Sequence, residues 1–235
     1  MKEQLIEPLD KEQLNELAQQ LRCPDGKKGK SIGDLLNNSN KEMIEESIIT
    51  LDIHDKNRIL ELGHGNCSHL SEIMKQANKL KYFGMEISQV MQQEATRINY
   101  KYIKKKVALF YLYNGNEIPY VLNFFDKIIT VNTIYFWENP LGLLNEIYRV
   151  LKPNGIFVLT FATSSFMKKL PFVSETNVFR LYDISKLEIL VSKTNFKLEN
   201  IKNKTERVKD KTEGWVDREY SIAVLRKKEK KINLR

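Results

Sequence analysis

Between residues 58 and 161, short apolar runs alternate with stretches whose apolar positions recur every three to four residues. A short apolar run bounded by turn residues reads as a buried strand, and the three-to-four spacing reads as an amphipathic helix. On that basis Arg58–Gly63 predicts a strand ending in glycine, with a helix after it over about Ser68–Asn78. Tyr82–Glu86 predicts a strand, Ser88–Tyr100 a helix, and Val107–Leu112 and Asp126–Asn132 two more strands. Pro140–Leu151 predicts a helix with Leu141, Leu144, Ile147 and Leu151 on one face. Pro153-Asn154-Gly155 has turn chemistry, and Ile156–Phe161 follows as a strand. Asp183 suits the cap of a helix running to Thr194, and Lys197–Ile201 and Glu219–Leu225 close the series as strands. Upstream, Leu5, Leu9, Leu14, Leu17 and Leu21 recur at roughly helical spacing, and Cys23-Pro24-Asp25-Gly26 reads as a turn. Ser39 and Glu42 stand in capping-box spacing before Met43 and Ile44. Strands alternating with helices imply an α/β fold with a mostly parallel sheet and right-handed crossovers.

Composition adds bounds. The 235 residues, 42% hydrophobic and 29% charged, suit one large globular domain. No apolar run reaches the length of a membrane span. The Met1-Lys2-Glu3-Gln4 start has neither the apolar core nor the small-residue site of a secretory signal. Two cysteines, Cys23 and Cys67, make no disulfide framework, and a reducing cytoplasmic setting is the expectation. The net charge of +8 invites a nucleic-acid reading, but residues Arg226–Arg235 hold six Lys or Arg against one Glu. Five of the eight charges therefore sit at one end, and a nucleic-acid partner is not expected.

The chemistry concentrates at two strand ends. Ile59-Leu-Glu-Leu-Gly63-His64-Gly65-Asn66 runs a buried strand into a glycine turn before a helix. Glycine permits positive φ and a close backbone approach to a ligand, and the helix start offers free N–H groups. A dinucleotide fingerprint would place a third glycine where Ser68 stands. Glu61, two residues before the turn, suits a ligand ammonium group better than a pyrophosphate. Glu86 ends the second strand 23 residues after Gly63, where an acid can accept hydrogen bonds from both hydroxyls of a ribose. Together these two features point to a nucleoside ligand.

Glu61-Leu-Gly-His-Gly65, Glu86, Asp126-Lys-Ile-Ile-Thr-Val-Asn132 and Glu146-Ile-Tyr-Arg-Val-Leu-Lys-Pro-Asn-Gly155 resemble the class I S-adenosylmethionine-dependent methyltransferases. The likeness is to the broad small-molecule, bacterial-type branch (methyltransferase type 11) that includes ubiquinone/menaquinone C-methyltransferase-like enzymes. It is strong over about Arg58–Phe161 and weaker toward both ends. It implies a Rossmann-like, doubly wound, mostly parallel seven-stranded sheet over residues 51–226. It also implies a helical N-terminal cap over 1–50, an insert at about 163–182 and a basic tail over 227–235. The implied donor is S-adenosylmethionine, leaving S-adenosylhomocysteine, and the implied acceptor is a small molecule, aromatic or apolar.

Carried over residue by residue, the resemblance assigns Glu61, Gly63, His64, Gly65 and Asn66 to the methionine end of the donor. Glu86 matches the ribose acid, with Met85 and Ile87 beside the adenine edge. The acid usual after the third strand is absent, so backbone groups, Tyr113 or Asn114 are left to contact the adenine. Asn132 falls beside the methyl group, and Thr133, Tyr135 and Trp137 lie toward the substrate, with Phe136 as core or pocket. Asn37 and Asn40 are placed to close over the donor, with capping of the next helix an equal or better account of Asn40. Tyr135 and His64 are the weak catalytic candidates, and no residue declares itself a general base. Cys67 fills the third small position of the motif and is a poor candidate nucleophile. His69 reads as a first-turn helix residue, His54 as a surface one, and no metal site is expected because no histidine pair has ligand spacing with a carboxylate. The rival readings are an RNA or protein methyltransferase, a nicotinamide oxidoreductase, and a non-catalytic nucleoside-binding protein of the same fold.

Overall fold

The computed structural model describes residues 9–209 and 215–228. Three helices come first: α1 (Lys11–Arg22), α2 (Gly26–Ser39) and α3 (Lys41–Thr50). There follow β1 (Arg58–Leu62), α4 (Leu70–Met74), β2 (Lys81–Glu86), α5 (Gln89–Ile98), α6 (Tyr100–Lys104) and β3 (Ala108–Leu112). After β4 (Phe125–Val131) come a short 3-10 turn (Ile134–Phe136), α7 (Pro140–Val150) and β5 (Leu151–Ala162). Two short helices, α8 (Ser164–Met167) and α9 (Pro171–Ser174), precede α10 (Ile184–Ser192), β6 (Phe196–Lys209) and β7 (Trp215–Lys227).

The seven strands form one sheet in the order β3-β2-β1-β4-β5-β7-β6. Strands β1 to β5 are mutually parallel, and β7 runs antiparallel to both β5 and β6. Strand side chains alternate between faces, so a strand buried on both sides must be apolar almost throughout. Leu60, Leu62, Phe157 and Leu159 face one core, with Leu144 and Ile147 of α7 and Leu187 of α10. Ile59, Tyr82, Ile129 and Val158 face the other, with Met43 of α3, Leu70 of α4 and Ala95 of α5. Burying one such large side chain is worth about 1.5–3 kcal/mol, and both faces of the sheet are held this way. The chain winds outward from β1 to β3 and then returns to β4 beside β1. The strand order reverses between β1 and β4, which opens a crevice at their carboxyl ends.

The α/β class, the seven strands and the mostly parallel sheet match the sequence expectation, while several details differ. The helix after β1 is only Leu70–Met74, because residues 64–69 are spent on turns. Ser39 ends α2 and its hydroxyl donates to Leu36 O, and α3 starts at Asn40 with no side-chain cap, so the expected capping box does not form. The 153–155 turn lies within β5, where Asn154 adopts φ 63°. In α7 the buried stripe is Leu143, Leu144, Ile147 and Val150, turned slightly from the expected face. β6, at 14 residues, is more than twice as long as predicted, and β7, at 13, nearly twice. Their outer positions are polar, which interrupts the apolar runs by which the sequence reveals a strand. β7 also runs through Lys227, whose Nζ donates to Leu151 O and Tyr148 O, so Arg226 and Lys227 belong to the sheet and not to a tail. Leu5 and residues 229–235 lie outside the described residues.

Candidate functional site

A cleft opens at the switch point, between the carboxyl ends of β1, β2 and β4 and the first three helices. Its floor is the turn after β1. Gly63 sits at φ 69°, donates its N–H to Met85 O at 2.8 Å, and passes so close to Thr133 that a Cβ there would collide with Cγ2. Positive φ and the absent side chain are both required at this point.

His64 and Gly65 follow. The backbone of His64 borders the cleft, but its ring folds down against Phe110, with centroids 5.1 Å apart. Gly84 makes room for it: a Cβ on Gly84 would lie 2.6 Å from His64 Cδ2. Nδ1 lies 2.7 Å from Gly65 O, and burial pushes the imidazole's pKa down, so the ring is neutral and Nδ1–H donates. Of the two catalytic candidates, His64 thus serves the turn's shape and does not point a base at a substrate.

Glu86 closes β2 with its carboxylate across the cleft floor. Oε2 accepts from Gly65 N at 2.9 Å, and Oε1 from Ile87 N at 2.8 Å and Ser88 N at 3.1 Å. Each carboxylate oxygen can accept more than one hydrogen bond, so Oε2 keeps room for a ligand hydroxyl. Ser88 caps α5 by accepting from Met91 N, which fixes where β2 ends and Glu86 stands.

Glu61 faces the second core, buried and ionic. His69 Nε2 donates to both its oxygens at 3.0 and 2.9 Å, and Tyr82 OH donates to Oε2 at 2.7 Å. Cys67 Sγ lies 3.1 Å from that hydroxyl, so the thiol proton turns to Tyr82. Burial pushes the Glu61 carboxyl's pKa up, but the charge and hydrogen bond of His69 outweigh it and hold it below the ordinary range. Burial likewise pushes the His69 imidazole's pKa down, and the Glu61 charge more than restores it, leaving it raised. Glu61 and His69 therefore form an ion pair beneath the glycine turn. Burial and the Glu61 charge drive the Cys67 thiol well up, which removes it as a nucleophile. The donor atoms of Glu61, Cys67 and His69 lie within 4.8 Å of one another; Glu61 and Cys67 find partners in His69 and Tyr82, while His69 Nδ1 is buried with no partner among the described residues.

The remaining expected residues divide between two cavities. Asn66, Ile87, Tyr113, Asn114, Asn132, Thr133 and Trp137 all border the cleft, as do Asn37 and Asn40. Asn66 also donates to Asp34 of α2 at 2.9 Å, tying the turn to the cap. Asn114 Oδ1 is spent on Asn116 N and Glu117 N, so its side chain shapes the loop that presents Tyr113. Trp137 Nε1 donates to Thr133 Oγ1 at 3.1 Å. Met85 is not in the cleft: strand alternation turns its side chain into the core with Leu60 and Leu62, and only its carbonyl serves the site. Tyr135 is also absent from the cleft and borders a second, apolar cavity. Its hydroxyl reaches Asn132 Oδ1 at 3.0 Å and Ala162 O at 3.1 Å, and burial pushes its pKa up, so it offers a substrate no free base.

Sequence reasoning missed His69, whose partner lies eight residues away across a turn, and the ion pair of Arg218 with Glu206. That pair joins β7 to β6 at 2.6 Å with side chains 7% and 4% exposed, and Arg218 Nη2 reaches Ser39 O in the cap. Residues 118 and 120 are held by Arg149, paired with Glu146, which donates to both their carbonyls. Two of the residues quoted for the family likeness thus fix the loop that carries Tyr113.

Residues 60–159 match the family model described as a methyltransferase domain. These residues form a methyltransferase domain of the class I kind. It is 27% identical over 128 residues to the uncharacterized methyltransferase YdaC of Bacillus subtilis (strain 168), which covers 54% of this chain and 68% of that protein. Its fold is similar to that of a chain described as a methyltransferase and solved with the Haloferax volcanii Trm112 methyltransferase activator. There the TM-score is 0.69 at 13% identity, covering 85% of this chain and 94% of the other. A methyltransferase from Aquifex aeolicus superposes with a TM-score of 0.56 at 16% identity, over 92% of this chain and 99% of its own. The chain is thus a methyl-transferring enzyme by family. No described helix is long and apolar enough to cross a membrane.

Proposed function

We propose that this methyltransferase binds S-adenosylmethionine in the cleft and passes its methyl group to a small apolar acceptor, releasing S-adenosylhomocysteine. The observation that carries the reading is Glu86, held at the end of β2 by three backbone N–H groups with acceptor capacity left for a ribose diol. The residues fit the donor along its length. The Glu61 carboxylate would lie under the amino-acid end, the Gly63–Gly65 backbone would hold it, Glu86 would take the ribose, and Ile87 and Tyr113 would flank the adenine, all of them bordering the cleft. When bound, the donor supplies a methyl on a sulfonium whose charge disappears on transfer. The protein's share is to exclude water and align the acceptor with that methyl.

Calorimetric titration with S-adenosylmethionine, S-adenosylhomocysteine and NAD tests this. The first two are expected to bind and NAD to bind at least tenfold more weakly. Glu86→Gln is expected to weaken both by tenfold or more, because a hydrogen bond to a charged group contributes about 1.5–3 kcal/mol. Binding untouched by Glu86→Gln would overturn the assignment. Labelled-methyl transfer to a metabolite extract, compared with RNA and protein fractions, separates a small acceptor from its macromolecular rivals and from a non-catalytic role.

A further inference from the structure

The second cavity joins the cleft: Leu21, Leu36, Asn40, Asn132 and Phe136 border both. Beyond that neck it is apolar and aromatic, walled by Tyr135, Phe166, Leu170, Phe172, Phe179 and Val216. Phe179 packs on Phe136 and Phe172 with centroids 5.0 and 6.0 Å apart, tilted at 52° and 54°, an array into which another flat ring can stack edge-to-face or offset. Two charged residues line it: Lys209 is exposed, and the buried Arg218 is committed to Glu206, Asn40 and Ser39 O.

The amides at the neck have determined orientations. Asn132 Oδ1 accepts from Ala162 N at 3.2 Å, so its Nδ2 donates to Asn40 Oδ1 at 3.0 Å. Arg218 Nη1 also donates to that oxygen, at 3.1 Å. Two donors on one atom identify it as the amide oxygen. The Asn40 NH2 group therefore points away from this network, and among the described residues nothing accepts from it. No carboxylate or imidazole among the described residues lines the second cavity.

Resting on the donor reading above, we infer that this cavity takes a flat, apolar acceptor whose nucleophile is an oxygen or sulfur already anionic at neutral pH, such as an aromatic thiolate. The Asn40 N–H and the donor's sulfonium would hold such an anion at the neck. An ammonium acceptor would find no opposing carboxylate in the cavity, and a neutral amine no base for the proton it must shed. The step balances without proton transfer. The acceptor's lone pair forms the new bond to the methyl carbon while the carbon–sulfonium bond breaks, and the donor's positive and acceptor's negative charges cancel.

The test uses the full chain. Thiophenol and benzylamine, similar in size, are offered with methyl-labelled S-adenosylmethionine, and S-adenosylhomocysteine binding is measured by calorimetry in each variant. The thiol is expected to be methylated at least tenfold faster than the amine. Phe172→Arg, which fills the cavity away from the cleft, is expected to lose acceptor methylation with S-adenosylhomocysteine affinity within about twofold of wild type. Asn40→Asp keeps an oxygen for Asn132 and Arg218 but replaces the free N–H with a charged acceptor. It is expected to slow thiol methylation tenfold or more at saturating S-adenosylmethionine. Amine methylation equal to or faster than thiol methylation, faster thiol transfer in Asn40→Asp, or an indifferent Phe172→Arg would overturn the inference alone. Failure of S-adenosylhomocysteine to bind wild type would overturn the donor reading and the inference with it.

Discussion

His69 shows how one side chain can govern another that the proposed donor would touch. Its Nε2 holds both oxygens of Glu61 under the glycine turn. His69→Gln can place an amide N–H near the Nε2 position, while His69→Leu leaves a buried carboxylate held by Tyr82 alone. The leucine variant is expected to lower S-adenosylhomocysteine affinity tenfold or more, and the glutamine variant to recover most of it; calorimetry reads both. The pH dependence has a definite sign. The imidazole is raised in the folded state, so its stabilising effect is complete below the ordinary histidine value of about 6.5 and fades as pH climbs through the raised value. The Glu61 carboxyl is lowered, so its effect is present above about 4.3 and lost as pH falls through the lowered value. Thermal melts of wild type should therefore lose stability above neutral pH relative to His69→Gln, which has no titrating ring. A parallel pH dependence in the two proteins would exclude the ion pair. Gly84 gives a second residue-scale outcome: Gly84→Ala drives a methyl into His64 and Phe110 and is expected to cost about 1–3 kcal/mol in urea unfolding. Neither dependence shows in the sequence as a motif. Glu61 and Gly63 are legible because a strand-turn-helix pattern surrounds them, whereas Glu61–His69 meet only once the turn folds back and Gly84–His64 only once β1 and β2 lie side by side.

At the scale of elements, the parallel strands declared themselves because burial on both faces makes them continuously apolar. The β6–β7 hairpin did so only over its inner part, because one of its strands is an edge and its outer positions are lysine, asparagine and glutamate. Yet that hairpin positions the N-terminal cap. Arg218 of β7 bonds Glu206 of β6, Ser39 O at the end of α2, and Asn40, and through Asn40 it reaches Asn132 at the end of β4. Breaking a buried pair by removing one partner strands the other charge, at about 3–5 kcal/mol. Arg218→Met is expected to lower stability by about that much in denaturant unfolding and to speed amide exchange in α2 and α3. Unchanged exchange there would show that the cap is held by its apolar contacts alone.

For the molecule as a whole, the cleft is bordered by a cap that precedes the sheet in sequence and is tied to the rest of the fold by polar contacts such as Asp34–Asn66, Ser47–Thr160 and Asn40–Asn132. The charge excess that first suggested a nucleic-acid partner has a different distribution from the one composition implied, since Lys227 is buried at the sheet and serves the carbonyls at the end of α7. A ligand bridging Glu61, Glu86 and the cap should therefore stabilise the sheet and the cap together. At a concentration one hundred times its dissociation constant, a ligand specific for the folded state adds about 2.7 kcal/mol, which for a chain of this size raises the melting temperature by roughly 5–10 °C. S-adenosylhomocysteine is expected to produce that shift and to slow amide exchange in α1 and α2 as well as at the ends of β1 and β2. Edge strand β3 before Leu112 should keep its exchange rates apart from the global gain, because it lies outside the cleft. If protection appeared at β1 and β2 but not in α1 or α2, the ligand would be resting on the sheet with the cap uninvolved. Leu36, Asn37 and Asn40 would then not form part of the bound state.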